Sequence, residues 1–319
     1  MLNLLLKGAT APHPVEVTPG WALPADAIWI DLYNPTREEE LAAEFALGLL
    51  LPTREEMAEI ETSSRLYRED DAVFMTAQII TKSGGEVPIS APITFVLADQ
   101  RLVTIRYVEP TAFKIVGDQI AREPNAMACG AALLLGLLDE IIDRLADTLE
   151  RAVADVELMA AVIFKQQGKI DFRNIMRQLG KAQGVNAKVR ESSASLTRML
   201  IFCATAHEIA KVEGGSERLK VLQRDLASLT DHSGYLSGNT TFLLDAALGM
   251  INIEQNAIIK IFSIGAVIFL PPTLVASYFG MNFKHMGIFD WQWGEPLAFG
   301  MMVLSLIVAL VWFRWKGWF

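Results

Sequence analysis

The stretch IFSIGAVIFLPPTLVASYFGMNF, residues 261–283, contains no Asp, Glu, Lys or Arg. A second stretch, PLAFGMMVLSLIVALVWF at residues 296–313, is also free of charge. A helix needs about 20 mainly apolar residues to cross a bilayer core. Buried helices of a soluble core are the alternative, but such helices seldom lack charge over this length. We therefore predict two membrane-spanning helices at the C-terminal end of the chain.

The segment between these stretches, residues 284–295, is too short to hold a domain, so the two helices form a hairpin. Lys260 precedes the first stretch, and Arg314 and Lys316 follow the second. Because positive residues concentrate on the cytoplasmic side, we expect both termini in the cytoplasm. The N-terminal sequence MLNLLLKGATAPHP also lacks the basic opening and long apolar core of a secretory signal. Two helices cannot enclose a pore, so a channel made from this chain has to be an oligomer.

The 319-residue chain is 52% hydrophobic, with a mean hydropathy of +0.30, and its charge is unevenly distributed. Two of its 37 acidic and three of its 28 basic residues follow position 260, which leaves 35 acidic against 25 basic residues, a net charge of about −10, in residues 1–260. This acidity argues against a nucleic-acid partner and is compatible with binding of cations. Two distant cysteines, Cys129 and Cys203, suggest no disulfide framework or metal site. We find no convincing catalytic set and predict that the protein is not an enzyme.

The region before the apolar stretches divides into a mixed α/β part and a helical part. Helix starts are predicted in 35–45 and 52–61, where Pro is followed by acidic residues. Strands are predicted at 2–6, 27–31, 72–80, 93–98 and 101–107, with a hairpin turn at Gly84-Gly85. Long helices are predicted over 127–165, 170–213 and after Gly214-Gly215. Two glycines in HSGYLSGNTT, residues 232–241, favour a break in the last of these helices.

Acidic residues recur at three- or four-residue spacing along the first long helix. They could attract divalent cations, or they could form an ordinary solvated face. The residues are Asp139, Asp143, Asp147, Glu150 and Asp155.

Small and polar residues follow one side of the first apolar stretch and its approach. A lipid-facing helix has no need to place its polar residues on one side, whereas a pore does. Packing between helices also uses small residues, and the pattern alone does not separate the two interpretations. The stripe consists of Asn256, Ile259, Ser263, Ala266, Leu270, Thr273 and Ser277.

The tripeptide Gly280-Met281-Asn282 ends this stretch. Gly280 gives access to backbone conformations closed to other residues. The Asn282 side chain offers a neutral oxygen, and a ring of such oxygens can hold hydrated Mg²⁺ without trapping it. The alternative is an ordinary helix C-terminus with Gly and Asn as capping residues.

This tripeptide, placed after an aromatic pair at the end of the first of two C-terminal spans, resembles the signature of the CorA family of magnesium/cobalt transporters. The segments INIEQNAIIKIFS (251–263) and FLPPTLVAS (269–277) and the tail RWKGWF (314–319) are similar to the same family. The resemblance covers about residues 245–319. One departure is the loop, where CorA members commonly continue with Met-Pro-Glu and this chain has His285-Met286-Gly287. Asp290 or Glu295 is then the remaining attractor of cations.

The resemblance implies a homopentameric funnel in a bacterial inner membrane, with an α/β N-terminal domain, a long helical stalk and two C-terminal transmembrane helices. The third long helix would continue unbroken into the first span and line the pore. Asn256, Phe262, Leu270, Thr273 and Ser277 would face the axis, with Leu270 and Phe262 as constrictions. Phe262 competes here with Ser263 of the stripe. Gly280, Met281 and Asn282 would form the selectivity filter.

The resemblance also implies regulatory Mg²⁺ between the cytoplasmic domains of neighbouring subunits. Asp245 matches the stalk-side position of such a site, and Asp70, Asp71 and Asp225 are the candidate partners. Residues 69–71 could equally form a plain turn. No organic cofactor is implied.

Two other functions remain open from the sequence. One is a Zn²⁺, Ni²⁺ or Co²⁺ transporter of the same superfamily, although the span carries no Cys or His cluster. The other is a membrane-anchored ion sensor that conducts nothing, which would have no need of the polar stripe. The predicted organisation is a cytoplasmic α/β domain (1–125), a helical hairpin (126–215), a stalk helix (216–257), a first span (258–282), a periplasmic loop (283–295), a second span (296–314) and a cytoplasmic tail (315–319).

Overall fold

The computed structural model describes residues 1–18, 20–59, 61–69, 71–81, 88–124, 127–165, 170–281 and 291–316. They form two compact units, Met1–Leu244 and Asp245–Phe319. The strands are β1 (Leu2–Leu6), β2 (His13–Val15), β3 (Ala27–Tyr33), β4 (Leu66–Glu69), β5 (Ala72–Thr81), β6 (Ile89–Ala98) and β7 (Arg101–Arg106). The helices are α1 (Arg37–Leu47), α2 (Arg54–Ala58), α3 (Thr62–Arg65), α4 (Thr111–Arg122), α5 (Gly130–Ile163), α6 (Phe172–Cys203), α7 (His207–Ala210), α8 (Gly215–Phe279) and α9 (Gly294–Trp315).

The strands of the first unit form one mixed sheet in the order β2-β1-β3-β7-β6-β5-β4. Only β3 and β7 pair in parallel, and the other pairs are antiparallel. All five predicted strands are present, and several are longer than predicted. The edge strands β2 and β4 were not predicted, because they are short and carry polar residues whose pairing depends on the neighbouring strand. The predicted turn at Gly84-Gly85 lies outside the described residues.

Both faces of the sheet are covered. Phe74 of β5 lies in a buried cluster with Met57 of α2 and Leu51, on one face. The next residue, Met75, contacts Cys203 of α6 on the other face, where the Ser195 hydroxyl also accepts a hydrogen bond from the Gln78 amide. Strands buried on both sides read as continuous apolar runs, which explains why β3 and β5 could be recognised in the sequence.

The two predicted helix starts are capping boxes. The hydroxyls of Thr36 and Thr53 accept hydrogen bonds from the amides of Glu39 and Glu56, and each glutamate bonds back to the cap residue's amide. This arrangement satisfies amides that have no partner inside a helix. The prolines before these caps therefore mark the correct positions, with each helix beginning two residues later.

The predicted helix 170–213 is shorter in the structure. The α6 helix ends at Cys203, and the separate helix α7 follows. Thr205 lies just after the end of α6, where its hydroxyl donates to the Phe202 carbonyl and its own carbonyl accepts from Arg68 of β4. These hydrogen bonds take the place of the backbone hydrogen bonds of a continued helix. The sequence of residues 170–213 gives no indication that Arg68 of β4 is a partner.

Helix α8 continues through residues 232–241, so the break favoured by propensity is wrong there and the continuity implied by the family resemblance is correct. Ser233 is buried, and its hydroxyl donates to the Asn186 side chain of α6 at 2.7 Å. The Asn186 amide group donates in turn to the Ser233 carbonyl at 2.9 Å. Because α6 supplies these bonds, tertiary packing outweighs the cost of two helical glycines.

Candidate ion pathway and acidic sites

The second unit contains the end of α8 and the helix α9. Both helices are long and apolar enough to cross a membrane. The most apolar 18-residue segment of α8 has no buried residues within the chain, and 17% of the corresponding segment of α9 is buried. A core helix of a soluble protein would be mostly buried, so the exposure favours membrane spans over the soluble-core alternative.

The polar stripe lies on an exposed side of α8. At about 100° per residue, Ala266, Leu270, Thr273 and Ser277 fall within an arc of about 60°. All four are exposed in the single chain, and Leu270 retains 65% of its accessible surface. Asn256 is also exposed, about 70° from the centre of this arc.

The opposite side of α8 is half-buried. Its residues recur at three- or four-residue spacing, and a matching half-buried or buried stripe runs along α9. This pattern assigns one face of each helix to packing within the unit and leaves the polar stripe of α8 free. The α8 residues are Ile264, Ile268, Pro271, Val275 and Phe279, and the α9 residues are Ala298, Met302, Ser305, Ala309 and Phe313.

Phe262 and Ser263 are alternative candidates for the same pore-lining position along the stripe. Each lies about 50° from its centre, on opposite sides. Phe262 is 75% exposed, whereas Ser263 is half-buried. The exposed fraction therefore favours Phe262, in agreement with the position that the family resemblance assigns to it.

Helix α8 stays helical through Pro271 and Pro272. Neither proline has an amide hydrogen to donate to the carbonyls of Val267 and Ile268. The Thr273 hydroxyl donates to the next carbonyl, that of Phe269, at 2.6 Å. The stripe thus places a hydroxyl oxygen beside a section of helix with weakened backbone bonding.

Gly280 follows the last residue of α8 and does not adopt the left-handed backbone that glycine permits. Its φ is not positive, and its amide donates to the Ala276 carbonyl at 2.9 Å. A Cβ atom at this position would lie 3.1 Å from that carbonyl oxygen, so the demand for glycine is one of space. Met281 is 43% exposed, and Asn282 and the loop through Asp290 lie outside the described residues.

The four regulatory candidates occupy separate places. Asp71 is exposed in the turn between β4 and β5, with a φ of +63°, a conformation that Asp tolerates in tight hairpins. Asp225 and Asp245 are exposed on α8, and Asp70 lies outside the described residues. Within the described part of the chain, no three His, Cys, Asp or Glu side chains are arranged to hold a metal ion.

The acidic face of α5 is partly neutralised within the chain. Arg144 lies 3.0 Å from Glu140 and 2.9 Å from Asp147, and Arg218 of α8 lies 3.4 Å from Asp139. Two of the five predicted residues, Asp139 and Asp147, are thus paired with arginines, which favours the interpretation of a solvated face for them. Within the described residues no ion pair includes Asp143, Glu150 or Asp155.

A profile of the family described as CorA-like Mg²⁺ transporter protein matches residues 24–315. The chain belongs to this family. The magnesium transport proteins CorA of Salmonella typhimurium and Escherichia coli K12 are each 35% identical to it over 296 residues, 92% of this chain and 92% of each relative. The complete structure of the CorA magnesium transporter from Methanocaldococcus jannaschii superposes with a TM-score of 0.77 at 18% identity, covering 100% of this chain and 99% of that one. The predicted family and fold class are confirmed.

In this CorA-family chain, the charge of Asp225 on α8 acts on Asp143 of α5, an interaction that the sequence did not reveal because the two residues are far apart in the chain. Burial raises the pKa of Asp143 most, and the negative charges of Asp139, Asp147 and Asp225 raise it further, while Arg144 opposes the increase. Burial and the neighbouring carboxylates thus disfavour the charged form of Asp143.

Replacing Asp143 with asparagine is expected to raise the melting temperature at neutral pH in Mg²⁺-free buffer. Because the folded-state pKa lies above the ordinary value, the fold is most stable when this group is protonated and loses stability as pH rises through the raised pKa. The gain from Asp143→Asn should therefore disappear in acid, below the ordinary aspartate range. Thermal unfolding of both proteins across pH tests this, with exposed Asp155→Asn as the matched control. An equal gain at every pH would contradict the assigned cause.

Proposed function

We propose that this protein is a passive channel for Mg²⁺, and for Co²⁺, in a bacterial inner membrane, with both termini in the cytoplasm. The observation that carries the proposal is the uncharged stripe of α8. It is exposed in the single chain, lies opposite the packed face, and leads to Gly280-Met281-Asn282. The family of this chain and the names of its CorA relatives support magnesium as the transported ion.

The exposed stripe requires a partner, and identical subunits supply it. Rotational symmetry places the same stripe of every subunit around one axis, so that one helix per subunit encloses a pore. Five subunits follow from the family resemblance. Packing between α8 and α9 then leaves the outer surface of the hairpin for lipid.

Selectivity is assigned to the ring of Asn282 side chains, with Gly280 and Met281 positioning it. Mg²⁺ is a hard cation that loses its water slowly. Neutral amide oxygens can bind its hydration shell and still release the ion, whereas a ring of carboxylates would hold it more tightly. The pore-lining residues behind this ring are Asn256, Phe262, Ser263, Ala266, Leu270, Thr273 and Ser277.

The membrane potential supplies the driving force. An inside-negative potential contributes about 2.3 kcal/mol per charge per 100 mV, so roughly 4.6 kcal/mol for a divalent ion. The sequence contains no GxxxxGK[ST] nucleotide-hydrolysis motif. Uptake down this gradient needs no other source of energy.

Intracellular Mg²⁺ is assigned the role of closing the pore. Exposed carboxylates at an interface between subunits repel each other until a divalent ion bridges them. Asp245 of one subunit, with Asp70, Asp71 or Asp225 of its neighbour, would form such a bridge. A fall in internal Mg²⁺ empties the site and shifts the population towards the open state.

Flux into liposomes tests the function. Purified protein is reconstituted with a trapped Mg²⁺ indicator and an inside-negative potential, with Asn282→Ala and Ser305→Ala alongside. Ser305 lies on α9, away from the stripe, and its hydroxyl donates to the Met302 carbonyl at 2.8 Å. We expect rapid Mg²⁺ entry that Asn282→Ala abolishes or makes unselective and that Ser305→Ala leaves unchanged.

Other outcomes would reassign the protein. Entry of Zn²⁺ or Ni²⁺ without Mg²⁺ would make it a transporter of another branch of the superfamily. No divalent flux after removal of internal Mg²⁺ would favour an anchored sensor, and the stripe would then be a packing face.

A further inference from the structure

A cleft in the first unit is lined by cations, although this part of the chain is acidic. It measures about 480 Å³ and lies between α5 and α6, beside Pro88. Among the described residues that line it, Arg151 of α5 and Arg177 and Lys181 of α6 are basic and Asp155 is the single acidic one. Three positive charges against one negative charge give this cleft a local sign opposite to that of residues 1–260 as a whole.

Four of the six basic residues of α6 follow one face of the helix. At about 100° per residue, Arg173, Arg177, Lys181 and Lys188 fall within an arc of about 80°. Like charges at four-residue spacing repel each other and destabilise a helix. Lys188 is satisfied, because its ammonium donates to the Pro88 carbonyl at the edge of the cleft.

Arg177 and Lys181 differ from Lys188 in the partners that the described residues provide. Within the described part of the chain neither residue has an ion pair, although both line the cleft. Arg151 is held in place by α5, since its Nε donates to the Asp147 carbonyl at 3.0 Å and one terminal nitrogen lies 3.4 Å from the Thr148 hydroxyl. The remaining donors of Arg151 are left for a ligand.

We propose that this cleft binds a phosphorylated small molecule through its phosphate groups. Guanidinium groups donate two parallel hydrogen bonds to a phosphate, and an ammonium adds a third donor with positive charge. The volume lies within the range of small-molecule sites. Ala152, Ala182 and Val185 provide an apolar wall against which a non-phosphate part of the ligand can pack. A nucleotide has both parts.

Binding to the full-length protein tests the proposal without any measurement of ion flux, so its failure would not affect the transport function. The protein is kept in detergent free of phospholipid, which removes lipid headgroups as the source of phosphate. Equilibrium dialysis with labelled ATP and with labelled pyrophosphate is carried out at about 0.1 M ionic strength, where charges more than about 10 Å apart are largely screened.

The cleft variant is Arg177→Ala with Lys181→Ala, and the control is Arg190→Ala with Arg224→Ala. All four residues are exposed, and the control residues do not line the cleft, so both variants lose two positive charges at little cost to folding. We expect the wild type to bind at least one probe, the cleft variant to bind it about tenfold to a hundredfold more weakly, and the control to match the wild type.

Three results would overturn the proposal. The first is a wild type that binds neither probe at millimolar concentration. The second is an equal loss in the control variant, which would indicate unspecific attraction of anions. The third is a change of oligomeric state in the cleft variant together with no binding of either probe by the wild type. The cleft would then be an interface between copies of this chain.

Discussion

If the proposed channel is closed by internal Mg²⁺, replacing Leu270 with alanine is expected to leave it leaking Mg²⁺ at internal Mg²⁺ concentrations that close the wild type. Leu270 lies in the middle of the exposed stripe and keeps 65% of its surface in the single chain. A ring of leucines at the pore axis expels water and blocks a hydrated ion, and alanine is too short to close the ring. We expect closed-state flux to rise about tenfold or more, which corresponds to a barrier lower by about 1.4 kcal/mol.

The matched control for this experiment is Leu304→Ala. Leu304 lies on α9 with 59% of its surface exposed, outside the half-buried stripe of that helix. Both variants remove the same atoms from an exposed leucine in a spanning helix. Indicator-loaded liposomes containing high internal Mg²⁺ should therefore leak with Leu270→Ala and remain closed with Leu304→Ala. Equal flux in both would show that Leu270 faces lipid and that the stripe is not the pore.

Replacing Asp31 with alanine is expected to destabilise the first unit by about 3–5 kcal/mol, because a buried cation loses its partner. Asp31 and Arg106 are both buried, and two hydrogen bonds of 2.9 and 2.8 Å join them. The Arg106 guanidinium also lies 4.4 Å from the centre of the Tyr33 ring and 4.6 Å from that of Phe113. Water therefore cannot replace the carboxylate.

Unfolding of the full-length protein in detergent, followed by circular dichroism, measures this effect. The control is Asp26→Ala, which removes an exposed carboxylate and should change stability by about 0.5 kcal/mol or less. A double variant, Asp31→Leu with Arg106→Met, removes both charges and should recover part of the loss. If the double variant is as unstable as Asp31→Ala, the cost comes from lost packing and not from the unpaired charge.

Some of this protein could be predicted because the signal is local. The two spans follow from long charge-free runs, since a bilayer accepts little else. The capping boxes of α1 and α2 each involve residues within a four-residue segment of the sequence. The stripe of α8 follows from helical spacing alone, and the exposed side of the helix agrees with it.

Other features depended on residues far apart in the chain. Propensity favoured a break at residues 232–241, and the contact between Ser233 and Asn186 keeps α8 continuous there. The end of α6 depends on Arg68 of β4. The spatial constraint at Gly280 comes from the Ala276 carbonyl of the preceding turn.

By itself, the sequence determined the two long apolar helices at the C-terminal end and, through Gly280-Met281-Asn282 in its setting, the family. These properties depend on composition and short spacing, which a single chain displays without folding. The tertiary structure alone decided which carboxylates act on each other across helices, as Asp225 acts on Asp143, and which cations have no ion pair within the described residues, as is the case for Arg177 and Lys181. The physical reason is that charge compensation depends on distances between helices, and those distances are fixed only when the helices pack.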